Sequence, residues 1–300
     1  MERIKHAIEK ARAERQEREE GQGTPTPIPV AEPHPVSTKE SPTDSRTVRG
    51  PRPSTASPSE SSEAAWLALG GFQPKPSLMR RNRIVSFEGG SLATSFDVLR
   101  TRILLQMRTN NWRRLAITSP GAACGKTMTS LNLAFSLARQ PEVRNILIEM
   151  DMRRPSMAKT LGLKKQQLFS RVLGGNEPPE DHLVRYGTNL AIGTNHRPAT
   201  NPAELLMNPR TGEVLATIEE RYDPTLMIFD MPPMLAGDDT MAFLDQVDCV
   251  LLVGAAESTT IKEVDLCEQD LARHTNVLGV VLNKCRYLDE GQGYGYYDYG

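Results

Sequence analysis

The chain has few aromatic residues, few cysteines and few histidines. Aromatics are 5% of its 300 residues, and there are only 4 cysteines and 5 histidines. Cys124, Cys249, Cys267 and Cys285 show no CxxC spacing, which argues against a disulfide framework or a cysteine zinc site. The histidines pair with no cysteine or carboxylate at ligand spacing. There is no run of about 18 apolar residues, so no transmembrane helix is expected. The opening segment "MERIKHAIEKARAERQEREE" lacks the apolar stretch of a secretory signal, and a reducing cytoplasm is the expected compartment. A formal net charge of -1 offers no bulk attraction to nucleic acid, and no nucleic-acid partner is expected. The hydrophobic fraction of 38% is low and the 22 prolines are many, so part of the chain is not expected to fold.

What is present divides the chain. Ile4, Ala7, Ile8 and Ala11 recur at helical spacing among charged residues, which predicts a charged helix over residues 1–20. Residues 21–82 read as a Pro/Ser-rich flexible linker, with one short apolar island, "AAWLALGGF" (64–72). From residue 83 to 285 the pattern is that of a folded domain, and residues 286–300 read as a flexible tail. Within the domain, helical periodicity covers 91–110, 127–140, 201–222 and 260–273. Apolar strands are predicted at "RLAIT" (114–118), "NILIEM" (145–150), "NLAIGT" (189–194), "LMIFD" (226–230), "CVLLVG" (249–254) and "VLGVVLN" (277–283). Unalternating apolar strands divided by helices imply an α/β fold, with a mainly parallel central sheet and helices on both faces. Ligands of such sheets bind beyond the strands' carboxyl ends.

The loop "SPGAACGKT" (119–127) follows a predicted strand and opens a predicted helix, the context a phosphate-binding loop requires. Backbone N–H groups of Gly121, Ala122, Ala123, Cys124, Gly125 and Met128 would surround phosphate oxygens. Lys126 would reach the terminal phosphates, and Thr127 would ligate Mg²⁺. The GxxxxGK[ST] pattern fails at its first position, Pro120, with glycine one residue later. Two further elements agree with an ATP site. "ILIEMDMRRP" (146–155) ends a strand on Glu149 and Asp151, two residues apart, and "LMIFDMPP" (226–233) ends one on Asp230. The latter is the Walker B arrangement, in which a carboxylate supports the Mg²⁺ shell. Both carboxylates of the first are expected to face the phosphates.

Together these motifs resemble the bacterial tyrosine kinases, P-loop autokinases of capsule and exopolysaccharide assembly whose fold is similar to that of the MinD/ParA ATPases. The resemblance runs from about Phe87 to Asn283 and includes "FDVLRTR" (96–102), "NPAELL" (201–206) and "FDMPPMLAGDDTMAF" (229–243). It implies a P-loop NTPase three-layer sandwich, ATP and Mg²⁺ as cofactors, and Lys126, Glu149, Asp151 and Asp230 as catalytic residues. It further implies Thr127, Asp151 and Asp230 around the metal, and Asn283 reading adenine. Arg153 matches the family's arginine after the carboxylate strand, with a role in local structure or against a partner subunit. The implied partners are a membrane polysaccharide co-polymerase on a separate chain, a phosphotyrosine phosphatase and further copies of the chain. The chain would be cytoplasmic and recruited to the inner face of the membrane. Glu149 stands where the family has aspartate, and Ala123 and Cys124 stand where close relatives have Gly and Glu. The family's Glu-x-x-Arg-x-x-Arg helix reads Thr94, Asp97, Arg100 here.

The chain ends "YGYYDYG", which holds four of its seven tyrosines. The resemblance makes Tyr294, Tyr296, Tyr297 and Tyr299 phospho-acceptors. They lie about 11 to 16 residues past Asn283, a reach of roughly 35 to 55 Å when extended, which would allow transfer between subunits. Two other readings stay open: a nucleotide-gated scaffold with little kinase activity, and a MinD/ParA-like localisation ATPase. The latter lacks support from the loop, where Ser119, Pro120 and Gly121 occupy the stretch that holds an extra lysine in partition ATPases.

Overall fold

The structure is a computed structural model and describes residues 60–285. The predicted helix over 1–20 and the tail with its four tyrosines lie outside the described residues. A sheet of eight strands forms the centre: β1 (Gly70–Gly71), β2 (Arg114–Thr118), β3 (Asn145–Glu149), β4 (Leu183–Tyr186), β5 (Leu190–Gly193), β6 (Leu226–Asp230), β7 (Cys249–Ala255) and β8 (Asn276–Asn283). Their order is β1-β4-β5-β3-β6-β2-β7-β8. Every neighbouring pair is parallel except β4 and β5. β2, β3 and β6 are buried along their whole length, which is why they read as unbroken apolar runs.

Helices cover both faces. On one, α1 (Glu60–Ala68), α6 (Phe169–Leu173), α8 (Pro202–Met207), α9 (Pro209–Tyr222), α10 (Asp239–Phe243) and α11 (Ile261–Ala272) pack around Ala116, Ile146, Ile148, Met227 and Phe229. On the other, α2 (Pro76–Arg81), α3 (Thr94–Asn110), α4 (Lys126–Ala138) and α5 (Met157–Leu161) pack around Leu115, Ile117, Leu147 and Ile228. The period of two within each strand divides these residues between two cores. α7 (Pro179–His182) is a single turn leading into β4.

Two expectations are corrected. The linker does not extend to residue 82: α1, β1 and α2 are folded, and Trp66, Leu69 and Met79 are buried. Trp66 donates its indole N–H to the Tyr222 carbonyl at 2.6 Å, so the segment is held by contacts remote in sequence. The single helix predicted over 201–222 is two, α8 and α9. Pro209 cannot donate to the preceding turn, and the Asn208 side chain caps the new helix by accepting from Arg210 N–H.

Candidate nucleotide site

The carboxyl ends of β2, β3 and β6, adjacent in the sheet, converge on the loop between β2 and α4. The loop turns sharply: Ser119 Oγ donates to the Gly121 carbonyl at 2.7 Å, and Thr118 Oγ1 donates to the Pro232 carbonyl at 2.7 Å. Gly125 has φ +99°, and a Cβ there would lie 2.0 Å from Asn283 Nδ2, so only glycine fits. Ala123 also has positive φ, 62°. α4 starts at Lys126 with no side-chain cap. Its first N–H groups are therefore available to an anion, reinforced by the helix dipole.

Four predicted residues meet here. Lys126 Nζ lies 2.8 Å from Asp151 Oδ2, and both residues are buried. Thr127 Oγ1 donates to Asp230 Oδ2 at 2.7 Å. The Asp230 carbonyl accepts from the backbone N–H of Met150 and Asp151, so the end of β6 fixes where Asp151 sits. Asp230 is fully buried. Burial raises its pKa, and Lys126 and the Thr127 hydrogen bond oppose this only in part. For the Lys126 ammonium, burial acts downward, yet Asp230 and Asp151 outweigh it and raise the pKa. The lysine is therefore a cation among carboxylates.

Glu149 departs from expectation. Both of its carboxylate oxygens are taken by backbone donors outside the phosphate loop. Oε1 accepts from Ser156 N–H at 2.6 Å and Met157 N–H at 2.7 Å, and Oε2 accepts from Asn195 N–H at 2.9 Å. It is completely buried. Burial is the main cause that pushes its pKa up to about 7, against the three backbone donors.

Asn283 reaches the loop from the end of β8, its Nδ2 donating to the Cys124 carbonyl at 2.9 Å. Cys124 is buried, its Sγ 3.5 Å from Thr259 Oγ1. Gly121, Ala122 and Met128 belong to the same loop and helix start, with Ala122 exposed. Arg153 has a local structural role: Nε and Nη2 bond both oxygens of buried Asp239, at 2.5 and 3.0 Å. Sequence reasoning missed Ser130, which donates to Asp230 Oδ1 at 3.1 Å. Its only signal was its place one helical turn after Thr127. It also missed Asp239 and Asn195, whose partners lie too far along the chain to show in any spacing.

The residues fit a magnesium nucleotide. Among the described residues no three His, Cys, Asp or Glu side chains cluster as a metal cage. A Mg²⁺ held by Thr127 and Asp230 would therefore take its remaining oxygens from phosphates and water, as this ion commonly does. Among the described residues no helix is long and apolar enough to cross a membrane.

No family model matches the chain. Among solved structures, the kinase domain of VpsO is 31% identical, with a TM-score of 0.57, over 64% of this chain and 96% of that domain. The kinase domain of Escherichia coli tyrosine kinase ETK is 27% identical, with a TM-score of 0.61, over 75% of this chain and 86% of that one. The chain belongs to the bacterial tyrosine kinase family. Tyrosine-protein kinase wzc of Salmonella typhi is 33% identical over 207 residues, 67% of this chain. The chain spans 28% of the length of that curated relative. Its mainly parallel sheet with helices on both faces is the bacterial tyrosine kinase fold.

Proposed function

We propose that the chain is an ATP- and Mg²⁺-dependent protein-tyrosine autokinase. Its acceptors are Tyr294, Tyr296, Tyr297 and Tyr299, served between subunits, and its role is to regulate exopolysaccharide or capsule polymerisation and export. The observation that carries this reading is the pairing of Lys126 with Asp151 and of Thr127 with Asp230 at one strand-loop-helix junction. Family membership supports the choice of tyrosine as acceptor.

Bound MgATP supplies an electrophilic γ-phosphorus. The tyrosine oxygen bonds to it, the bond to the bridging oxygen breaks, ADP leaves, and the phenolic proton passes to a carboxylate or to water. The protein's part is positioning and charge stabilisation. The first N–H groups of α4 would bind phosphate oxygens, and Lys126, paired with Asp151 here, would bind the terminal phosphates. Thr127 and Asp230 would hold the metal, and Asp151 would support it. Asn283 supports the loop through the Cys124 carbonyl and would border the adenine.

A membrane polysaccharide co-polymerase on a separate chain would activate the enzyme and recruit it to the inner face of the membrane. A phosphotyrosine phosphatase would reverse the modification. Each phosphate adds about -1.5 to -2 charges, so a multiply phosphorylated tail would leave a neighbouring subunit. The test is incubation of the full chain with MgATP, with and without the co-polymerase's cytoplasmic segment, followed by intact-mass and peptide analysis. Phosphotyrosine is expected within the last seven residues, and Lys126→Met should abolish it. Its absence under both conditions overturns the kinase reading.

A further inference from the structure

Glu149 is the one predicted catalytic residue whose side chain the structure directs elsewhere, and its contacts have a common geometry. The carboxylate joins three segments: the end of β3, the start of α5 and the residues after β5. Oε1 receives Ser156 and Met157 N–H, and Oε2 receives Asn195 N–H. Asn195 answers by donating its Nδ2 to the Glu149 carbonyl at 3.1 Å, and its Oδ1 accepts Ser170 N–H at 2.9 Å. Ser156 provides no side-chain cap to α5, so Glu149 caps that helix from outside.

Residues 150–155 are thus closed at both ends. At one end Met150 and Asp151 N–H bond the Asp230 carbonyl. At the other, Glu149 holds Ser156 and Met157. This short loop carries Asp151, which pairs with Lys126, and Arg153, which pairs with Asp239. Aspartate at position 149 would fall about 1.5 Å short of the Ser156 and Met157 N–H groups, roughly one C–C bond, and would not hold the far end of the loop on this backbone. The longer side chain is what makes the bridge.

We propose that Glu149 is a positioning residue that clamps the 150–155 loop and thereby sets Asp151, and that it does not receive the acceptor tyrosine. The part concerning tyrosine rests on the kinase reading. The clamp itself does not, because it also governs nucleotide binding through Asp151 and Lys126.

The experiment compares the full-length chain with Glu149→Gln, Glu149→Asp and Glu149→Ala. It measures MgATP affinity by calorimetry and the initial rate of tail phosphorylation at saturating MgATP. A glutamine oxygen can still accept from Ser156 and Met157, while its NH2 would meet the Asn195 N–H donor to donor. Glu149→Gln therefore keeps the arm that holds the loop and loses the Asn195 arm, and should lose no more than about tenfold in either quantity. Glu149→Asp and Glu149→Ala release the loop, and a shift of about an ångström at Asp151 costs roughly 100-fold in rate. Their affinity should fall together with the rate, giving the order wild type, Gln, then Asp with Ala. A residue that takes the tyrosine proton contributes about 10²- to 10⁴-fold. It would keep Asp near wild type in rate, drop Gln to the level of Ala, and leave all four affinities equal. That order overturns the proposal. If the Asp and Ala variants fail to fold, Glu149→Gln decides alone: a loss above 100-fold in rate at unchanged affinity overturns the clamp. If no variant and no wild type phosphorylates tyrosine, the kinase reading fails, and the affinity order still decides the clamp.

Discussion

At the scale of single residues, the phosphate loop carries a cost that a glycine would avoid. Ala123 holds φ 62°, a region where a Cβ meets the following carbonyl, at about 1–2 kcal/mol. Its side chain is exposed, so burial offsets little of that cost. Ala123→Gly should remove that strain, while the freer glycine gains entropy in the unfolded chain and offsets part of the gain. The net expectation is about 0.5–1 kcal/mol more stability and a melting midpoint higher by roughly 1–4 °C, read by calorimetry of both proteins. An unchanged or lower midpoint would show that the loop does not hold this strain.

At the scale of elements, Asp97 ties α3 to α4. Its Oδ1 accepts Ser136 Oγ at 2.6 Å and is paired with Arg139 and, at 3.4 Å, with Arg100. Burial acts to raise its pKa, but the Ser136 and Arg139 hydrogen bonds and the arginine charges outweigh it and lower the pKa below the ordinary 3.8. A carboxylate depressed in this way stabilises the fold above its unfolded pKa, and the contribution is lost as pH falls through the lower folded value. Asp97→Asn should therefore cost about 1–2 kcal/mol at pH 7. The gap from wild type should stay constant down to about pH 4 and narrow below it, measured by urea unfolding at pH 7, 5 and 3. A gap independent of pH throughout would reject the charge as its source.

The same scale explains what could be read from the sequence. β2, β3 and β6 were legible because burial on both faces leaves them uniformly apolar. β1 is two glycines and has no side-chain pattern to read. The loop and two of the carboxylates, Asp151 and Asp230, followed from motif and order. Leu147, two residues before Glu149 on β3, packs in the same core as Met157 and Leu161, so that side of the strand faces α5. The chain's return at Ser156 and Met157, seven and eight residues later, could not be seen in the spacing, and it takes the Glu149 carboxylate.

At the scale of the whole molecule, the folded unit reaches back to the α1 segment, and its hold is concentrated in one side chain. Trp66 is 1% exposed. It meets Tyr222 edge-on at 6.1 Å, lies under Arg144 at 5.6 Å, and bonds the Tyr222 carbonyl. Arg144 also pairs with Glu63 of α1. Further along, Gly70 and Gly71 add a strand to the sheet edge beside β4, and Phe72 N–H bonds the Arg185 carbonyl at 2.7 Å. Removing a buried tryptophan costs about 3–5 kcal/mol, which is a large share of a typical domain's stability of about 5–15 kcal/mol. If the segment is an integral part of the domain, Trp66→Ala should lower the unfolding free energy by that amount and move the denaturant midpoint down with the m-value unchanged, because the same surface is exposed on unfolding. If the segment were only an appended linker, the m-value would fall and the midpoint would move little, since α1 and β1 would already be released in the folded variant. Tyr222→Phe gives a control of opposite sign. Among the described residues the buried Tyr222 hydroxyl has no hydrogen-bond partner, so its removal should stabilise the chain by about 1 kcal/mol while leaving the ring beneath Trp66 in place.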